Sequence, residues 1–189
     1  MHILNLFRSI LCTIAFATST ALLIAAPPKI GATAPDFSLQ TLNDQTITLS
    51  TLTSNGPVVL LVLRGWPGYQ CPLCTAQVRD YISSGSAFEK AGALVIMVYP
   101  GPADNLKAHA TEFINNKNWP KEFLFVTDPD YKMLNSYDLK WNAPGETSYP
   151  STFILDRKGI VRFAKISHTH GDRTKAADVL AKIKELVPN

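Results

Sequence analysis

Cys71-Pro72-Leu73-Cys74 is where this chain can do chemistry. The pair follows an apolar stretch, Val58–Leu63, and a turn-rich segment, Arg64–Gln70, and it precedes a helical pattern. A thiol at a helix start meets unpaired backbone N–H groups and the positive end of the helix dipole. Both favour the thiolate, which is the reactive form. A second thiol three residues on lies one helical turn away, within reach of an oxidised first sulfur. The expectation is a redox centre in which Cys71, at the exposed helix start, attacks and Cys74, pointing back under the turn, resolves.

Two blander uses of the pair are weaker. A purely structural Cys71–Cys74 bridge closes so short a loop that it stabilises by only about 2 kcal/mol or less. CxxC is also half of a zinc site, and His168 and His170 are the only paired nitrogen ligands. That spacing suits disulfide exchange better, and the two histidines, followed by Gly171-Asp172, read as a polar loop. No metal and no organic cofactor is expected. Arg64 reads either as a cation beside the thiolate or as a strand-end arginine in solvent. Trp66 and Tyr69 either wall a pocket or pack on the turn.

The elements that must hold these residues are legible in the hydrophobic pattern. Lys29–Ser50 reads as an entry segment with an edge strand at Thr46–Leu49. Val58–Leu63 and Ala93–Tyr99 are unbroken apolar runs, the mark of strands covered on both faces. Between them a helix from Pro72 through Ile82 and a second piece, Ala87–Ala91, are expected, because Pro suits a first helical turn. Pro102 opens a helix to about Asn116. A strand at Phe123–Val126 follows, then a short helix capped by Asp128-Pro-Asp130. Ser151–Leu155 and Ile160–Ala164 form a hairpin across Asp156–Gly159, and a last helix runs from Lys175 to Leu186. Strands alternating with helices predict an α/β domain with a central mixed sheet and helices on both faces.

Composition excludes some functions. The 189 residues are 46% hydrophobic and 17% charged, with a formal net charge of +3, enough for one domain with a proper core. No basic cluster or basic-aromatic face is present, so nucleic acid is not an expected partner. The N-terminus differs: Arg8 precedes an uncharged apolar run, Ile10–Ala26, ended by Pro27-Pro28. At about 17 residues it falls between a cleaved export signal and a short membrane anchor, so residues 1–26 are read as one or the other. The protein is expected outside the cytoplasm, in the periplasm or an equivalent space. Cys12 reads as a passenger of this leader. Without it the chain keeps two cysteines, so the only intramolecular bridge it can form is the short one.

Four passages, taken in order, resemble the alkyl hydroperoxide reductase / thiol-specific antioxidant family, the peroxiredoxin-like proteins of thioredoxin fold. They are Gly31–Leu39, Val58–Cys74, Val126–Tyr137 and Tyr149–Gly159. The resemblance implies one thioredoxin-like domain over residues 28–189 and a peroxide substrate. It also implies that Cys71 passes through a sulfenic acid that condenses with Cys74, and that an external dithiol reductant, such as a thioredoxin-like protein, reopens the bridge. The family's Pro-x-x-x-Thr/Ser-x-x-Cys pattern aligns in two ways. Counted from Val58, Cys71 is the peroxidatic position, with Arg64 in the proline's place and Gly68 in the hydroxyl's. Counted from Pro67, Cys74 takes that position. The family's arginine just before "tF.iD" is replaced by Pro150. That proline resembles thioredoxin-type disulfide oxidoreductases, where it is usually cis and faces the disulfide. Exchange with protein disulfides is therefore the alternative function that the resemblance implies. A thioredoxin-fold copper chaperone ranks below both.

Overall fold

The computed structural model describes residues 26–186, so the expected leader, with Arg8 and Cys12, lies outside the described residues. In chain order the strands are β1 (Ser38–Thr41), β2 (Thr46–Thr48), β3 (Val58–Val62), β4 (Leu94–Gly101), β5 (Phe123–Pro129), β6 (Ser151–Leu155) and β7 (Val161–Ile166). The helices are α1 (Leu49–Thr53), α2 (Pro72–Ser83), α3 (Gly85–Lys90), α4 (Leu106–Ile114), α5 (Lys132–Ser136) and α6 (Ala176–Leu186).

The strands make one sheet in the order β2-β1-β5-β4-β3-β6-β7. β3 pairs in parallel with β4 and β4 with β5, while β6, β7 and the β1–β2 edge run antiparallel. The two apolar runs are its centre, every residue of β3 being buried. Strand alternation sends Val59 and Leu61 to one face, against Val78 and Tyr81 of α2, Phe113 of α4 and Ile183 of α6. Leu60 and Val62 go to the other face, against Leu49 of α1, Leu134 of α5 and Tyr137. Covered on both sides, the strands need no polar face, and this is why the sequence shows none.

Three local readings change. Pro102 does not open α4: Asn105 takes a left-handed φ of 57°, which ends a turn, and the helix starts at Leu106. A short helix, α1, occupies Leu49–Thr53, so Leu49, expected as the end of the edge strand, opens a helix instead. The last helix begins at Ala176, whose N–H donates to Asp80 Oδ2 of α2 at 2.7 Å. The Asp128 cap stands as expected. Its buried carboxylate accepts the N–H groups of Met133 and Leu134 at 2.9 and 3.0 Å.

One glycine sets the path to the cysteines. Gly65 follows β3 with φ of 69°, and a Cβ there would run into the carbonyl oxygen of Pro100 at the end of β4. Only glycine allows both the left-handed turn and this approach. Trp66 N–H then donates to Pro100 O at 2.9 Å, which fixes the start of the loop that delivers Cys71 to α2.

Candidate active site

Cys71 is the N-cap of α2 and Pro72 its first helical residue, an arrangement favoured because proline has no N–H to leave unpaired. The Cys71 sulfur does the capping, accepting the Cys74 N–H at 3.3 Å. Both cysteines are free thiols and both are buried, Cys71 at 3% and Cys74 at 0%, so the helix start that carries Cys71 is not exposed as expected. Their acidities part company. A hydrogen bond from the Cys74 thiol, against the cost of burial, lowers Cys71 from about 9 to about 5, with the Cys74 N–H, Arg173 and Arg64 adding to the effect. Burial first, then the bond it gives to Cys71, pushes the Cys74 thiol well up. One sulfur is poised as a thiolate and the other holds the proton, a division of labour suited to attack by Cys71 and resolution by Cys74.

The cation nearest the sulfurs was not found in the sequence. Arg173 lies between β7 and α6, yet its Nη1 is 3.5 Å from Cys74 Sγ and its Nη2 is 3.9 Å from Cys71 Sγ. Nη1 also donates to Gln77 Oε1 at 3.0 Å, and Nε donates to the His170 carbonyl at 2.7 Å. The next residue is pinned as well. Thr174 Oγ1 lies 2.7 Å from Tyr81 Oη and 2.8 Å from Thr152 Oγ1, and Thr174 O accepts from Gln77 Nε2 at 3.3 Å. A lone arginine in the polar stretch Ser167–Asp172–Arg173 has no spacing that would mark it, because its meaning comes from the hydrogen bonds that tie residues 173–176 to α2.

Arg64 is neither solvated nor free. It is 3% exposed, and its Nε donates to Glu146 Oε2 at 2.8 Å, its Nη2 to Gly145 O at 2.6 Å and its Nη1 to Tyr69 Oη. Glu146 also meets His170 Nε2 at 2.9 Å. The same loop closes the end of β3, since Ser148 Oγ donates to Leu63 O at 2.7 Å and Thr147 Oγ1 donates to Arg64 O. Arg64 thus adds positive potential near Cys71 but aims its donors at the 145–148 loop, and neither sequence-based reading described that arrangement.

Pro150 departs from expectation. The Tyr149–Pro150 bond is trans, like every peptide bond among the described residues. Trans is the ordinary preference of X–Pro bonds, by about 0.5–1 kcal/mol. Here it lets Tyr149 N–H reach Leu139 O and Pro150 O accept Ser167 N–H, each at 2.9 Å, which leads the chain straight into β6. The cis geometry implied by the oxidoreductase resemblance is therefore corrected. His168 packs on the Tyr149 ring, and His170 packs on Trp141 and meets Glu146, so both rings are already engaged. No cluster of three or more His, Cys, Asp or Glu side chains able to hold a metal occurs among the described residues. Trp66 stacks on His109 at 3.5 Å, which favours packing over a pocket wall, whereas Tyr69 and Leu73 are exposed beside the cysteines. Gly68, in the place of the family's hydroxyl, has φ of 104° and open space where a side chain would project.

A family model described as the AhpC/TSA family matches residues 30–164. The chain is 29% identical over 147 residues to a chloroplastic peroxiredoxin Q of Triticum aestivum, covering 78% of this chain but only 63% of that protein. It is 30% identical over 136 residues to peroxiredoxin Bcp of Bacillus subtilis, covering 69% of this chain and 80% of that one. Among solved structures, peroxidoxin BcpB from Mycobacterium tuberculosis matches with a TM-score of 0.65 at 21% identity, over 84% of this chain and 98% of that one. A peroxiredoxin-like protein from Aquifex aeolicus matches at 0.68 and 18% identity, over 87% and 91%. These structural likenesses establish the thioredoxin-like α/β fold.

Proposed function

This chain belongs to the AhpC/TSA family, and from that premise we propose that it is a thiol-dependent peroxidase with a CxxC redox centre, acting outside the cytoplasm. The carrying observation is the unequal pair at the start of α2, a low-pKa Cys71 capping the helix and a protonated Cys74 beneath it. Cys71 thiolate attacks the O–O bond of a peroxide, becomes a sulfenic acid and releases water or an alcohol. Cys74 then forms the S–S bond and displaces the sulfenic oxygen as water. An external dithiol, of thioredoxin-like type, reopens the bridge by exchange. The apolar leader, Ile10–Ala26, supports export, by cleavage or as a tether.

Stopped-flow reaction of the reduced protein with hydrogen peroxide, beside reduction of a protein disulfide, tests the reading. Fast peroxide consumption is expected. Negligible peroxide rates beside rapid exchange would transfer the function to a disulfide oxidoreductase, a reading favoured by the exposed Tyr69 and Leu73 flanking the thiols as a contact for another protein. Fractionation tests the location: intact chain soluble in the cytoplasm would contradict export.

A further inference from the structure

The Arg173 guanidinium addresses two sulfurs, and the shorter contact, 3.5 Å, is to the second to react. Its charge is otherwise uncommitted. The acceptors that hold it, Gln77 Oε1 and the His170 carbonyl, are neutral, and it joins no ion pair with a carboxylate among the described residues. Cys71 does not depend on it alone, having the Cys74 thiol, the Cys74 N–H and Arg64 as further support. Cys74 has much less. It sits at zero exposure, and the groups that favour its thiolate are Arg173 and then the backbone of Arg64. Once Cys71 is oxidised, Cys74 must give up its proton in this buried place before it can attack.

We infer that Arg173 is the catalytic residue of the resolving step, its guanidinium stabilising the Cys74 thiolate as that sulfur attacks the Cys71 sulfenic acid. This rests on the peroxidase reading. Peroxide first oxidises Cys71 by two electrons, its O–O bond breaking and one oxygen staying on sulfur. The Cys74 proton passes to solvent, the Cys74 sulfur donates an electron pair to the Cys71 sulfur, and the S–O bond breaks as the S–S bond forms. Hydroxide leaves and takes up a proton as water, so no further oxidant is needed. A two-pronged guanidinium spans both sulfurs, so its charge serves the first thiolate and then the second without the side chain moving.

The test follows full-length reduced protein after mixing with hydrogen peroxide. Quenched samples are treated with dimedone and read by site-resolved mass spectrometry, which keeps Cys12 separate from the centre. In Arg173→Met, sulfenic acid formation should slow, because the Cys71 thiolate loses one of its supports, but by less than bridge closure does. Bridge closure should slow by roughly tenfold or more, so that dimedone-labelled Cys71 accumulates. Arg173→Lys should recover part of the closure rate. Unchanged closure, or equal losses in both steps, would overturn the assignment. A peroxide-free arm guards against misfolding effects: in a Cys12→Ser/Cys71→Ser background, the ultraviolet thiolate absorbance of Cys74 should titrate at higher pH once Arg173 is Lys or Met. No shift in either variant would also overturn it. Absence of peroxide consumption by the unmutated protein would instead refute the peroxidase reading, a result distinct from unaltered closure in the variants.

Discussion

Arg64 Nε donates to Glu146 Oε2 at 2.8 Å across 82 positions of sequence, with the arginine side chain 4% exposed and the glutamate 13%. The pair ties the end of β3 to the loop that precedes β6, and through Glu146 it reaches His170. Pairs of this kind are costly to break from one side, because the remaining charge stays in a poor solvent. Their energy lies in completeness more than in attraction.

Arg64→Ala is therefore expected to destabilise the fold by on the order of 3 kcal/mol, by stranding Glu146 and the Gly145 carbonyl. Arg64→Met/Glu146→Gln should lose distinctly less. Urea unfolding of the three proteins measures this. A single variant as stable as the unmutated protein would show that the pair is loosely held.

The thiols should react at very different pH. Alkylation of reduced protein near pH 6 should label Cys71 much faster than Cys74, with the Cys71 rate half-maximal near pH 5, where its thiolate forms. Preferential labelling of Cys74 would favour the alternative register, in which it is the nucleophile.

Stability should carry the same signature. Folding lowers the Cys71 pKa, so between about 5 and about 9 the native state binds fewer protons than the unfolded chain. Its contribution is complete above the unfolded value and is lost as pH falls through about 5. Relative to Cys71→Ser, the reduced protein should gain stability with rising pH across that window, at no more than about 1.4 kcal/mol per pH unit. Cys74, shifted the other way, should lower the stability of both proteins as pH rises above about 9, so its effect shows in each curve and not in their difference. Parallel melting curves for the two proteins from pH 5 to 8 would contradict the lowered value.

Asp80→Ala removes the acceptor of the Ala176 N–H at the start of α6. Loss of such a cap costs about 1 kcal/mol, a fall in Tm of about 2–4 °C for a chain of this size. Calorimetry of the reduced protein would register it, and an unchanged Tm would mean that solvent replaces the carboxylate without loss.

Much of the scaffold was readable because it rests on local rules. The runs Val58–Leu63 and Ala93–Tyr99 reveal double-covered strands, Pro72 marks a helix start and Asp128 a cap. The first turn of the Pro102 segment was misread because nothing local announces that Asn105 takes a left-handed backbone. The site was half legible. Cys71 and Cys74 are three residues apart and declare each other, but Arg173 reaches them only through the hydrogen bonds that tie residues 173–176 to α2. Arg64 was noticed for its place after β3, while its partner, Glu146, lies in a loop with no periodic pattern. Pro150 was given a geometry by analogy that its own backbone pairings do not require.

Gln77, Asp80 and Tyr81 of α2 all grip residues 173–176. The helix that carries the sulfurs therefore carries the segment that presents their cation. In mechanical terms they form one lever. The spacing of Arg173 from both sulfurs is set by bonds to the helix that bears them, with Thr152 of β6 as the tie of the same segment to the sheet. Substitutions in the sheet that spare these bonds should therefore blunt the stability of the domain before they blunt its chemistry.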